Sequence, residues 1–196
     1  MREILSMIVV LSVFCGASGW ILASLKQYTA PLIEEQELFH VKGPALRHAF
    51  GSFDNDPIKE RRRVALPDGG SLLVFPAQKD GKLAAVAFER FGDGYGGPLG
   101  VMVGFDLSRD ALTGIGITTH RETPGVGSRV TSEGFLVQFA GHPFAKLGLK
   151  AAGGDIDAVS GATASSTAAG KAVAQALELW GAARPEIEKA FAGGAS

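Results

Sequence analysis

Asp157-Ala158-Val159-Ser160-Gly161-Ala162-Thr163 runs directly into Ala164-Ser165-Ser166-Thr167 and an Ala-rich stretch whose apolar residues keep helical spacing to about Trp180. The segment reads as a loop, a helix start and a helix. Small side chains at Ser160, Gly161 and Ala162 leave the backbone open to close approach. The first N–H groups of the helix have no intrahelical partner, so an anionic group, above all a phosphate, is the natural guest there. Capping of the helix by Ser160 or Ser165 is the plainer role for the same residue types. Further along, Val173, Ala176, Leu177 and Trp180 share one face, while Lys171, Gln175 and Glu178 remain on the wet side.

That apolar face needs a surface to cover. Strand patterns at 71–76, 82–91, 99–107 and 111–118 are separated by Gly69-Gly70, Asp80-Gly81, a Gly-rich turn at 92–100 and Ser108-Arg109-Asp110, which is hairpin punctuation. Residues 133–139 return to helical spacing, with Phe135, Leu136 and Phe139 placed to cover the sheet. Residues 142–156 are irregular, and Pro185 opens a last short helix. Strands followed by helices point to an α+β domain with an antiparallel sheet flanked by helices.

The N-terminal part has a different character. Residues 4–25 carry no charged side chain, and a run of this length spans a hydrocarbon core of ~30 Å as a helix. A cleaved signal peptide is the competing reading, through Ala17-Ser18-Gly19, but the apolar run continues past that point. Phe14 before Cys15 argues against lipid attachment, and Trp20, Lys26 and Tyr28 suit the far interface. Charge leaves the orientation open. The expected organisation is a membrane anchor at 1–28, a stalk helix at 29–50 that begins near Pro31 and is interrupted at Gly43-Pro44, and one domain at 51–196. The chain has one cysteine, so no intrachain disulfide is available.

A formal net charge of −1 gives no general attraction to nucleic acid. Arg61-Arg62-Arg63 is the one basic run, and it reads as a solvated surface or a subunit contact. His40, His48, His120 and His142 are scattered without metal-ligand spacing, and no Ser/His/Asp arrangement stands out. No catalytic residue or metal ligand is assigned.

Two motifs narrow the function. Asp157-x-x-Ser160-Gly161-Ala162-Thr163 resembles the flavinylation motif of the RnfG and NqrC subunits of membrane-bound redox pumps, and His120-Arg121-Glu122-Thr123-Pro124-Gly125-Val126-Gly127 resembles the Glu-Thr-Pro-Gly-x-Gly signature of the same family. The apolar N-terminus, the turn at Gly94-Tyr95-Gly96-Gly97-Pro98 and the chain length favour RnfG. The resemblance implies FMN held through a phosphoester to Thr163, attached by a separate flavin transferase that uses FAD and reads Asp157, Ser160, Gly161, Ala162 and Thr163. It also implies a short cytoplasmic N-terminus, a periplasmic domain on the bacterial inner membrane, and an electron-relay role in an Rnf-type complex that couples ferredoxin:NAD electron transfer to ion movement.

On that resemblance the cofactor-binding residues are Thr163, Ser160, Gly161, Ala162, Glu122, Thr123, Gly125, Val126 and Gly127. The 122–127 loop is expected against the flavin ring, offering backbone N–H groups more than side chains, with His120 and Glu122 in minor roles. Two other readings stay open: a non-redox periplasmic module that binds a phosphorylated ligand at the same helix start, and a structural anchor for other subunits.

Overall fold

The structure, a computed structural model, describes residues 2–66 and 69–192. Its chain divides into two compact units, Met1–Phe39 and His40–Ser196. Residues 40–50 therefore group with the domain, where the sequence suggests a stalk.

The first unit is built on helix α1, Arg2–Glu37, which is long and apolar enough to cross a membrane. Its apolar side chains are open, with Leu11 at 66% and Trp20 at 73% exposure. Pro31 lies inside α1 instead of starting a helix. It removes a single backbone donor, and the good helix formers that follow, Leu32 and Glu34 to Glu37, carry the helix on. A π-helical turn, Leu38–Lys42, precedes α2, Gly43–Phe50. The change from α-helix to π-helical turn falls directly before Gly43-Pro44, so the regular helix is interrupted there, and Pro44, which has no N–H, stands at the start of α2.

The second unit is α+β. Its sheet is an antiparallel meander in the order β1 (Arg62–Ala65), β2 (Ser71–Lys79), β3 (Lys82–Asp93), β4 (Pro98–Asp106) and β5 (Leu112–Ile117). Asp80 and Gly81 both have positive φ, the conformation a tight hairpin between β2 and β3 requires. Strand alternation sorts the side chains. Val74, Phe88, Val101, Val103, Phe105 and Ile115 belong to the main core beneath the long C-terminal helix. The opposite face receives α2, and a Cβ at Gly116 would lie 2.2 Å from Ala45 O. Thr113 Oγ1 donates to Ala49 O at 2.6 Å, and Lys42 pairs with Glu89 at 3.0 Å on that side.

Strand β1 lies outside the strand patterns of the sequence. It is four residues long and buries only Val64, so no hydrophobic alternation marks it, and the arginine run that reads as surface supplies two of its residues. The turn expected at 92–100 is also shorter, since β3 continues through Gly92 to Asp93 and β4 begins at Pro98. Gly92 is a packing residue: a Cβ there would stand 2.0 Å from Ala168 O.

Ala168 belongs to α4, Thr163–Ala192. Trp180 stacks on Phe105 at 4.9 Å, and Phe105 stacks on Phe88 at 5.0 Å; each such pair contributes ~0.5–1.5 kcal/mol beyond its buried area. Pro185 lies within α4, so there is no separate last helix. The carbonyl of Gly181 loses its N–H partner at Pro185, but Gly181 is exposed and the carbonyl can meet water, while Ala183 and Ile187 continue the buried stripe. Residues 133–139 form α3, Glu133–Leu136, and a 3-10 turn, Val137–Phe139, with Phe135, Leu136 and Phe139 buried as expected.

Between β4 and β5, the Asp106 carboxylate organises the turn. Oδ1 accepts from Ser108 N at 2.8 Å and Ser108 Oγ at 2.7 Å, and Oδ2 accepts from Arg109 Nε at 3.0 Å and Nη2 at 2.7 Å. Burial pushes this carboxyl up, but the Ser108 hydroxyl and Arg109 guanidinium outweigh that effect and hold it below the ordinary carboxylate range. A depressed pKa stabilises the fold above the ordinary carboxylate value and loses that contribution as pH falls through the folded value. Asp106→Ala is expected to cost about 1.5–3 kcal/mol at neutral pH, with the gap to wild type narrowing in the acid range, as read by urea melts of the domain. Gly92→Ala is expected to lose ~1–3 kcal/mol by overpacking against α4, measured by the same melts; an unchanged midpoint would show that α4 can move away freely.

Candidate functional site

The Asp157–Thr163 stretch is held from several directions before α4 begins. Gln138 clamps the backbone of Asp157, accepting from its N–H at 2.7 Å and donating to its carbonyl at 3.3 Å. Arg129 Nη1 donates to Ser160 O at 3.1 Å, and Lys150 Nζ donates to Asp157 Oδ2 at 2.6 Å. Gly161 has φ +77°, the left-handed turn that lets the chain enter the helix. Ser166 closes the turn, its hydroxyl accepting from Val159 N at 2.9 Å and donating to Ala162 O at 3.0 Å. The residue that ties the helix start is therefore Ser166, while Ser160 and Ser165, the two caps suggested by the sequence, are used otherwise.

Thr163 is the first residue of α4 and is exposed. Its hydroxyl has no partner among the described residues. Ser166 is the first residue to donate its backbone N–H back, to Ala162 O at 2.9 Å, which leaves the N–H groups of Thr163, Ala164 and Ser165 available at the positive end of the helix dipole.

Beside Thr163 lies a cleft of about 160 Å³. Its walls come from three places: Tyr95 in the β3–β4 turn, Glu122, Thr123, Val126 and Gly127 in the following loop, and the helix start from Gly161 to Ser165. Two motifs whose key residues are about forty positions apart thus line one cleft. Tyr95 is 80% exposed and Val126 47%, so the cleft is open on that side. Glu122 is buried, and its Oε2 accepts from Ser165 Oγ at 2.6 Å, joining the loop to the first turn of α4.

The loop differs from expectation in how it uses its backbone. Gly125 N donates to Ser128 Oγ at 2.9 Å and Val126 N donates to Thr123 O at 3.2 Å, so these groups turn inward, and Pro124 has no N–H. Gly125 makes the left-handed turn at φ +75° and does not line the cleft. Ser160 does not line it either. Together with Arg129, Gln138 and Asp157 it borders a second cleft, of about 200 Å³. His120 is exposed and outside the Thr163 cleft. Tyr95 and Ser165 are cleft residues that the sequence does not mark as ligands. An aromatic ring isolated among glycines is the one signal for Tyr95.

A larger cleft, about 480 Å³, lies among Lys59, Arg61, Arg62 and Phe191 near the opposite end of α4. Its cations are already engaged: Lys59 with Asp56, Arg61 with Ile58 O, and Arg62 with Ala190 O and the Phe191 ring. No cluster of His, Cys, Asp and Glu suited to a metal ion occurs among the described residues.

Comparison with known proteins identifies the family. Residues 94–178, which contain every residue lining the Thr163 cleft, match the FMN-binding domain family. The RnfG protein of the ion-translocating oxidoreductase complex of Stutzerimonas stutzeri is 34% identical over 134 residues, covering 65% of this chain and 58% of that protein, less than two thirds of its length. The corresponding RnfG protein of Escherichia coli K12 is 30% identical over 184 residues, covering 86% of each. Among solved structures, NqrC of Shewanella oneidensis is 25% identical with a TM-score of 0.45, covering 68% of this chain and 74% of that one. Identity at this level across most of the length of a relative, with an FMN-binding domain spanning the cleft, places the chain in the RnfG family of ion-translocating oxidoreductase subunits.

Proposed function

We propose that this protein is a membrane-anchored electron carrier of an Rnf-type ion-translocating complex, with FMN joined through its phosphate to Thr163 Oγ1. The observation that carries the reading is the position of Thr163: an exposed hydroxyl on the first residue of α4, beside three backbone N–H groups without helical partners and at the mouth of a cleft. A phosphodiester there keeps about one negative charge, which the helix terminus favours. The lining also fits the rest of the group. Val126, Ala162 and the Tyr95 ring offer surfaces for a flat aromatic system, and Thr123 and Glu122 offer polar atoms.

The flavin supplies redox chemistry, accepting two electrons and releasing them singly. The chain's own residues tether it, orient it and surround it with fixed dipoles. Nothing among the described residues activates the Thr163 hydroxyl, since the nearby carboxylate of Glu122 is bonded to Ser165. Attachment therefore belongs to a separate flavin transferase acting on FAD: the Thr163 Oγ1–P bond forms, the pyrophosphate bond breaks, the hydroxyl proton is lost and AMP leaves. Of the five residues in the recognition motif, Asp157, Ser160, Gly161 and Thr163 are exposed to solvent and open to another enzyme, while Ala162 is buried. Helix α1 anchors the protein in the bacterial inner membrane with the domain on the periplasmic side. Its partners are the other subunits of the complex, and the reaction served is electron transfer between ferredoxin and NAD coupled to ion movement.

Co-production with a flavin transferase is expected to give a protein whose flavin fluorescence survives SDS denaturation, and Thr163→Ala is expected to reduce it to background. Fluorescence retained by denatured Thr163→Ala would move the attachment elsewhere. Flavin that is bound in native buffer but released by SDS would favour reversible binding of a phosphorylated ligand, and colourless protein from the native membrane would favour a structural anchor.

A further inference from the structure

We infer that Glu122 sets the redox potential of the Thr163-linked flavin by placing a fixed negative charge at the wall of its cleft. This rests on the reading of Thr163 as the flavin-bearing residue. Glu122 is 5% exposed and lines the cleft. Both carboxylate oxygens have a donor beside them, Ser165 Oγ at 2.6 Å from Oε2 and Gly96 N at 3.4 Å from Oε1.

What distinguishes Glu122 is the absence of a cation. Asp106 is buried beside Arg109, and Glu89, with a side chain 13% exposed, is paired with Lys42. Glu122 has no Lys, Arg or His partner among the described residues. A buried carboxylate without a counter-charge opposes folding unless something else compensates for its desolvation. The surrounding backbone is nevertheless shaped to receive it. A Cβ at Gly94 would fall 2.1 Å from Oε1, and one at Gly127 would fall 2.7 Å from Oε2.

A purely mechanical role does not call for the charge. A glutamine could accept from Gly96 N through its oxygen and donate to the Ser165 hydroxyl through its nitrogen, preserving the link between loop and helix without burying an ion. The charge has an electrostatic consequence instead: negative charge beside the ring opposes electron addition and lowers the midpoint potential, and partial burial weakens solvent screening.

The test uses full-length protein in detergent, co-produced with a flavin transferase, as wild type, Glu122→Gln and Ser165→Ala. Covalent flavin is read by intact mass and the midpoint by redox titration. The expected result is covalent flavin on all three, with the Glu122→Gln midpoint shifted upward and Ser165→Ala, which keeps the charge, shifted less. A flavinylated Glu122→Gln protein with the wild-type midpoint overturns the inference, as does an equal shift in Ser165→Ala. Should Glu122→Gln fail to fold, redox-difference infrared spectra of wild type labelled with ¹³C-glutamate decide: a glutamate carboxylate band that moves on reduction is expected, and a difference spectrum without one overturns it. Wild type lacking covalent flavin overturns the Thr163 reading instead, and this inference with it.

Discussion

The packing of α4 across β3 and β4 is the constraint on which the site depends. One end is fixed by close backbone approach, with Gly92 beneath Ala168, and the middle by the ring stack from Phe88 through Phe105 to Trp180. Towards the far end, Arg184 donates to Leu107 O at 3.1 Å and lies over the Trp180 ring. A helix held along its length has a fixed N-terminus. Thr163 is therefore presented from a rigid element.

The loops complete what the helix begins. The 122–127 loop is tied to α4 through Glu122 and Ser165, and the Asp157–Thr163 stretch is pinned by Gln138, Arg129 and Lys150. These links join residues distant in sequence, so the cleft exists only in the folded domain. Gly161, Ala162 and Thr163 line the first cleft, while Asp157 and Ser160 line the second.

Much of this is legible in the residues. Long strands with alternating side chains, an amphipathic helix after Thr163 and small residues around a hydroxyl each leave a local signal, and the structure has all three. The differences have physical causes. Proline at residue 185 reads as a break, but the helix continues because the freed carbonyl lies on the exposed side and the buried stripe resumes at Ile187. Gly92 reads as turn, but its role is close packing against Ala168, which local sequence does not display. Strand β1 hides in a basic run with a single buried residue. Donors expected from Gly125 and Val126 are engaged by Ser128 and Thr123 within the loop itself. The burial of Glu122 depends on a bond to Ser165, across 43 positions, and has no local signature at all.

The central claim is a covalent bond at one residue. It is tested most directly by peptide mass mapping of protein isolated from its native membrane, because the trypsin fragment between Lys150 and Lys171 contains Thr163. The account predicts that this fragment is heavier than its sequence by one FMN less one water, with fragmentation placing the addition on Thr163. A fragment of unmodified mass throughout the preparation, or an addition carried by any other residue, would contradict it.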